Sequence, residues 1–223
     1  NMRGPHNIWR LIRTGATLER TGAMNVVLDA FEAPRSLRFV AKVLGKPFMW
    51  LGYKGDPEMP PATRALTALG PAYIKLGQVL STRPDVVGDE LAVQLRVLQD
   101  KLPPFTIEEA KAEVERELGQ PVDQIFSEFS EPVAAASIAQ VHRARVAATG
   151  EDVAVKVLRP GIERAFGKDV DAFYLAARIM EICAPSARRL RPIEVIEHFD
   201  GVVQGELDLR LESSAASEFA ANT

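Results

Sequence analysis

Three short apolar runs, each bounded by turn residues, confine the middle of this chain to a small antiparallel sheet. They are Phe126 to Ser130, Ala139 to Ala147 and Glu151 to Leu158, and Thr149-Gly150 is the turn between the last two. Strands that follow one another through tight turns pair antiparallel, because parallel neighbours need a crossover of a dozen or more residues. Ahead of the second run stands Ala134-Ala135-Ala136-Ser137-Ile138-Ala139-Gln140-Val141, and the third carries Val153-Ala154-Val155-Lys156. Alone, an alanine triplet is an ordinary helix former, and V-x-V-K is an ordinary strand ending in a solvated lysine. In this order and at this spacing they form one pattern.

That pattern has the layout of a protein-kinase nucleotide loop, G-x-G-x-x-G-x-V followed by V-A-I-K. Val141 falls on the valine, Lys156 on the strand lysine, and Ala134, Ala136 and Ala139 on the three glycines. Glycine permits positive φ and close approach of backbone to phosphate; alanine keeps the loop small but removes much of that freedom. The expectation is a nucleotide lid of altered geometry, with Ala134, Ala135, Ala136, Ser137 and Lys156 as candidate nucleotide-binding residues.

Length and composition set the frame. The chain has 223 residues, 47% of them hydrophobic and 26% charged, with net charge −3. This is ordinary for a globular protein with a sizeable core, and no basic excess points to nucleic acid. No apolar run is long enough for a membrane-spanning helix. The single cysteine, Cys183 between Ile182 and Ala184, reads as a buried thiol in a reducing compartment.

Residues 1 to about 60 read as a helical and linker region. Trp9, Ile12 and Ala16 share a helical face beside Arg10, Arg13 and Arg20, which suits packing onto the domain or, second, a membrane surface. Phe48, Trp50, Leu51 and Tyr53 make an aromatic stretch that is either core or a greasy contact surface. Pro57, Pro60 and Pro61 break the chain. From 61 to 120 helices follow at about 62–69, then through Ala72 to Leu80, then at about 89–100 with Leu91, Leu95 and Leu98 as its apolar stripe, after a turn at 81–85. Thr106 with Glu109 makes a capping box for a helix ending at Leu118, and Gly119 is its C′ residue. After the sheet, Ile162, Phe166, Val170, Phe173 and Ala177 recur at helical spacing. Pro192 opens a last helix expected to run to about Ala220. The fold class is α+β: a helical extension on an incomplete kinase-like small lobe, the latter occupying residues 121–223.

Two further motifs carry charge. Lys75-Leu76-Gly77-Gln78 sits on one helix, with Lys75 and Gln78 three apart on one face. Its glycine is a packing glycine or a point of close approach by a ligand. Glu206-Leu207-Asp208 and Glu212 lie near the end. Glu206 and Glu212 are six residues apart, so they differ by about 120° around a helix and cannot both reach Lys156 from one rigid helix.

With these four motifs in this order, the chain resembles the UbiB-type atypical kinases, the protein-kinase-like group tied to ubiquinone biosynthesis. Lys75-Leu76-Gly77-Gln78 matches the family's KxGQ motif, Ala134 to Val141 its alanine-rich loop, Lys156 its strand lysine and Glu206-Leu207-Asp208 its ExD motif. Glu212 falls where the family has the glutamate that pairs with the lysine. The family loop has the form A-A-A-S-x-G-Q-V, and Ala139 stands here in place of its glycine. The resemblance covers most of residues 60–223. It implies ATP or ADP with Mg²⁺ as cofactor, and ATPase or small-molecule, lipid-linked phosphotransfer rather than protein phosphorylation. It also implies that Lys75 meets the ExD acids, and that Lys156, Glu212, Lys75, Glu206 and Asp208 carry the chemistry, with Gln78 beside the nucleotide. An isoprenoid lipid or a membrane surface is the implied partner, and the location is cytoplasmic, at the inner face of a membrane through C-terminal segments. Neither H-R-D-x-x-x-x-N nor D-F-G occurs. The chain therefore reads as the N-terminal, catalytically incomplete part of such a protein, prone to self-association. The competing reading is a nucleotide-free helical scaffold or pseudokinase-type module.

Overall fold

The structure, a computed structural model, describes residues 5–98 and 103–208. These fall into two compact units. One gathers the residues up to Leu98 and those from Ala165 onward; the other holds the residues between them, to Arg164.

The first unit is helical. It contains α1 (Pro5–Thr21), α2 (Ala23–Ala30), α3 (Arg35–Phe48), α4 (Pro61–Leu69), α5 (Pro71–Ser81) and α6 (Pro84–Arg96). Proline opens α4, α5 and α6, where its missing N–H would have had no partner anyway. The turn before α6 is shorter than the sequence suggests, because Pro84 already belongs to the helix. Gly88, at φ 77° and ψ 161°, then kinks it. Leu91, Leu95 and Leu98 are buried as expected and pack with Val86, Val87 and Ala92. On α1, Thr14, Thr17 and Thr21 each donate their hydroxyl to the carbonyl four residues back, which satisfies a polar side chain inside a helix. After α3 a 3₁₀ turn, Met49–Leu51, brings Gly52 against α1. A Cβ there would stand 2.4 Å from the carbonyl carbon of Ala16, so only glycine fits.

The later helices are α9 (Ile162–Cys183) and α10 (Pro192–Leu207). The expected stripe of α9 is buried from Ile162 through Ala177. Its Phe173 meets Tyr73 edge-on at 4.8 Å and lies 5.9 Å from Phe199 of α10. Helices of this unit line an apolar pocket of about 250 Å³ that is open to solvent on one side.

Several expectations are corrected here. Cys183 is exposed, not buried. It is the last residue of α9, and the neighbouring Ile182 is 72% exposed. Of the two alternatives left open for the aromatic stretch, core or contact surface, the structure takes the surface: Trp50 is 73% and Phe48 43% exposed. Of the proposed face of α1, Ala16 is buried but Trp9 is 48% exposed. α10 ends at Leu207, and Asp208 is its C-cap at φ −83° and ψ 87°. The remainder of the long helix expected to Ala220 lies outside the described residues.

The second unit is an α+β layer pair. The capping box forms as the sequence predicts: the Thr106 hydroxyl accepts from the Glu109 N–H, and the Glu109 carboxylate accepts from the Thr106 N–H. It starts α7 (Ile107–Leu118), which Gly119 ends in the left-handed region at φ 68°. A single turn, α8 (Val122–Ile125), leads into an antiparallel sheet of order β1-β2-β3, namely Phe126–Ala135, Ala139–Val146 and Asp152–Leu158. Phe105, Ala110, Val114 and Val122 pack against Phe126, Ala144 and Val157, so one sheet face is the core of this unit. β1 outruns the predicted strand because irregular pairing around Pro132 lets the ladder resume at Ala134. Proline is tolerated there because β1 is an outer strand and is bulged at that point.

Candidate functional site

The alanine run is the end of a β-hairpin. Ala134 pairs with Val141 and Ala135 with Gln140, and Ala136 donates its N–H to the Ala139 carbonyl at 2.8 Å. No residue from Ala134 to Ala139 has a positive φ. The alanines thus occupy ordinary conformations and need none of glycine's freedom. Ala134 is exposed, Ala135 and Ala136 are half-buried, and Ser137 is fully buried.

Across β2, Val141 pairs in turn with Lys156. Residues directly opposite in a ladder share a face, so Ala134, Val141 and Lys156 form one row. The next row, Ala135, Gln140 and Val157, faces the other way, and its Gln140 and Val157 are buried. Lys156 is half-buried on the face opposite to that core. The strand period of two puts it there: Val153, Val155 and Val157 take the core side, leaving the even positions outward.

Two supports of the hairpin were not among the candidate site residues, although the first lies within the alanine-rich motif. Gln140 lies beneath it, fully buried. Its side-chain oxygen accepts from the Phe105 N–H, and its amide nitrogen donates to the Phe105 carbonyl, both at 3.1 Å. Its second N–H points to His142 Nε2 at 3.0 Å, and His142 Nδ1 lies 2.7 Å from the Ser130 carbonyl. This network assigns the tautomer: Nε2 accepts and Nδ1–H donates. His142, stacked on Phe129 at 4.7 Å, is therefore a structural histidine. The second support is Arg159. Its backbone N–H donates to the Ile138 carbonyl, its Nε to the Ser137 carbonyl at 3.2 Å, and its Nη2 to the Pro103 carbonyl at 2.9 Å. The guanidinium sits over the Phe105 ring, and burial draws it below its ordinary pKa. The only sequence hint was position: Arg159 follows directly on the third strand.

Lys75 of KxGQ and Glu206 of ExD, one residue of each charged motif, meet within the helical unit. Lys75 is buried, at 8% exposure, and its Nζ lies 2.9 Å from Glu206 Oε2 and 3.2 Å from Oε1. A buried ammonium has to be paired, and α10 supplies the carboxylate. Gly77 faces α4 and α6 so closely that a Cβ would stand 2.3 Å from Leu98 Cδ1 and 2.7 Å from Leu66 Cδ1. Within the described residues it serves close helix packing. Gln78 is half-buried on α5. Asp208 stands off the end of α10, while Glu212 lies outside the described residues. Close by, Tyr73 donates to the Thr14 hydroxyl at 2.5 Å, since the Thr14 proton goes to the Arg10 carbonyl. Burial pushes the Tyr73 phenol up to about 12. Asp169 is raised by burial too, against the opposing pull of its ion pair with Arg10. Among the described residues no group of His, Cys, Asp or Glu gathers to hold a metal.

A family model described as the ABC1 atypical kinase-like domain matches residues 97–223. The "Probable protein kinase UbiB" of Marinobacter nauticus is 45% identical over 159 residues, 71% of this chain and 29% of that protein. Its namesake from Aliivibrio fischeri is 42% identical over 199 residues, 87% and 36%. That from Pseudomonas paraeruginosa is 39% identical over 217 residues, 96% and 40%. The chain thus spans 29–40% of the length of these relatives. With the domain model matching more than half of its residues, the chain belongs to the ABC1 atypical kinase-like family, as a UbiB-like member.

Proposed function

We propose that this chain is the lysine-bearing part of an ATP-handling protein that supports ubiquinone biosynthesis, by ATP hydrolysis or by phosphoryl transfer to a small or lipid-linked acceptor. The observation that carries the reading is the row Ala134–Val141–Lys156, which sets the lysine two strands from the hairpin end, on the sheet face turned away from the core. A lysine so placed can pair nucleotide phosphates under a covering hairpin, and Mg²⁺ would neutralise charge on those phosphates. The test is nucleotide binding by the full-length protein with Mg²⁺, beside Lys156→Ala. A tenfold or greater loss of ATP affinity is expected, and equal affinities refute the assignment.

One observation favours a second reading, a kinase-like module without nucleotide. The hairpin end is closed by its own ladder, with the Ala136 N–H already bonded to Ala139, which leaves fewer amides to wrap phosphate. Absence of ATP and ADP binding in the same experiment selects this reading.

A membrane surface is the proposed partner of α3. From Arg35 to Trp50 the sequence holds Arg35, Arg38, Lys42 and Lys46 and no acidic residue. Phe39 is 68% and Trp50 73% exposed on that segment. A basic, aromatic-bearing helix face suits an anionic interface. No helix among the described residues is long and apolar enough to cross a membrane. Co-sedimentation with anionic but not neutral vesicles, lost in Phe39→Asp, tests this. Self-association is proposed through β1 and β3, the outer strands of the sheet; a monomer by light scattering at high concentration refutes it.

A further inference from the structure

We infer that Arg143 holds the base of the bound nucleotide by laying its guanidinium plane on it; the inference rests on the nucleotide reading above. On the sheet face turned away from the core, three rows lie in sequence. They are Ala134–Val141–Lys156, then Arg143 opposite Ala154, then Glu128–Arg145–Asp152. Strand alternation fixes the side that Arg143 takes, because its neighbours His142 and Ala144 are buried. Its backbone N–H donates to Ser130 Oγ at 3.0 Å. Its side chain is exposed and, among the described residues, enters no ion pair or hydrogen bond.

A nucleoside triphosphate carries its charge at one end and its planar base at the other, so the charge of each row orients it. Lys156 marks the phosphate end. Toward the hairpin end one more row of this parity remains, Ala139 opposite Leu158, and Ala139 is already buried. In the other direction the face runs on. Its third row is net acidic: Arg145 lies 3.1 Å from Glu128 and 2.9 Å from Asp152, one cation between two carboxylates. Phosphate is disfavoured there, so the base falls on the middle row, two residues or about 7 Å along the strands from Lys156. Ala154 is exposed and carries only a methyl group, so a planar ring can lie flat over it. Arg143, directly across, supplies the stacking partner. A guanidinium stacks on a ring through its own plane, which an ammonium lacks.

The test is equilibrium binding of ATP and UTP to the full-length protein with Mg²⁺, for wild type, Lys156→Ala, Arg143→Ala and Arg143→Lys. Salt is held at about 0.15 M, so that distant charge is screened. Both Arg143 variants should weaken ATP about fivefold or more. They should weaken UTP less, because uracil offers a smaller ring to stack. Lys156→Ala should weaken both nucleotides alike. If Lys156→Ala binds ATP as wild type does, the nucleotide reading fails and this inference with it. If Lys156→Ala weakens ATP while both Arg143 variants bind it as wild type does, this inference alone is overturned. ATP affinity kept by Arg143→Lys also overturns it, since charge and not the guanidinium plane would then hold the ligand. So does an equal loss of ATP and UTP in Arg143→Ala, which a merely structural role for Arg143 would produce.

Discussion

Gly77→Ala tests whether the motif glycine is held by packing. The new Cβ would stand 2.3 Å from Leu98 Cδ1, 2.7 Å from Leu66 Cδ1 and 3.4 Å from Leu95 Cδ2. Carbon contacts rest at about 3.5–4.0 Å, so Leu98 must withdraw by about 1.2 Å and Leu66 by about 0.8 Å, at once. Leu95 and Leu98 are 2% and 7% exposed, so neither can swing into water without opening the core. Overpacking of this kind costs about 1–3 kcal/mol. Alanine returns about 1 kcal/mol of helix propensity. With two leucines displaced the steric cost lies toward its upper end, and a net loss of about 1–2 kcal/mol is expected, a fall of roughly 2–8 °C in Tm. Gly15→Ala is the matched control. It makes the same exchange inside α1, where a Cβ would meet nothing within 4 Å, and should gain about 0.5–1 kcal/mol. Urea unfolding followed by circular dichroism measures both. If Gly77→Ala is as stable as wild type, the packing account fails, and close approach of a ligand becomes the better reason for that glycine.

Burial of Tyr73 makes an alkaline prediction. Its folded pKa, about 12, exceeds the ordinary value of 10.0, so the stability present below about pH 10 is lost as pH rises toward 12, by on the order of 3 kcal/mol. Unfolding at pH 9 to 12 should show this loss in wild type and lack it in Tyr73→Phe. Gln140→Leu leaves both backbone groups of Phe105 and His142 Nε2 without their partner and should cost on the order of 3 kcal/mol; a loss below 1 kcal/mol would show that water replaces the amide. In the full-length protein, Ala134→Gly and Ala136→Gly should change the preference between ATP and ADP by loosening the hairpin end, whereas melts that shift with both affinities fixed would mark the run as scaffolding. Phosphate release from ATP by this chain should not exceed that of its Lys156→Ala variant, because the sequence carries no D-F-G or H-R-D motif; steady release above that control refutes the dependence on such groups.

Local chemistry made much of the fold legible. Thr106 with Glu109, Gly119, Pro192 and the Leu91–Leu95–Leu98 stripe act through bonds and sterics within a few residues, and each appears where the sequence put it. The strand period also fixed the face of Lys156, since only the valines of its strand could enter the core. Tertiary structure decided what depends on partners distant in the chain. Trp50 and Phe48 are as apolar as Phe166, yet they lie outside while Phe166 is buried. Nothing in the spacing of α5 buries Lys75; its meeting with the ExD acids was implied by the family resemblance alone. It is buried because α10, 131 residues later, returns Glu206 to it. Arg159 carries no motif, and its role exists only where Ser137, Ile138 and Pro103 converge on it. Periodicity encodes which side of an element faces inward; it does not encode which other element waits there, because that is settled by packing among segments far apart in sequence.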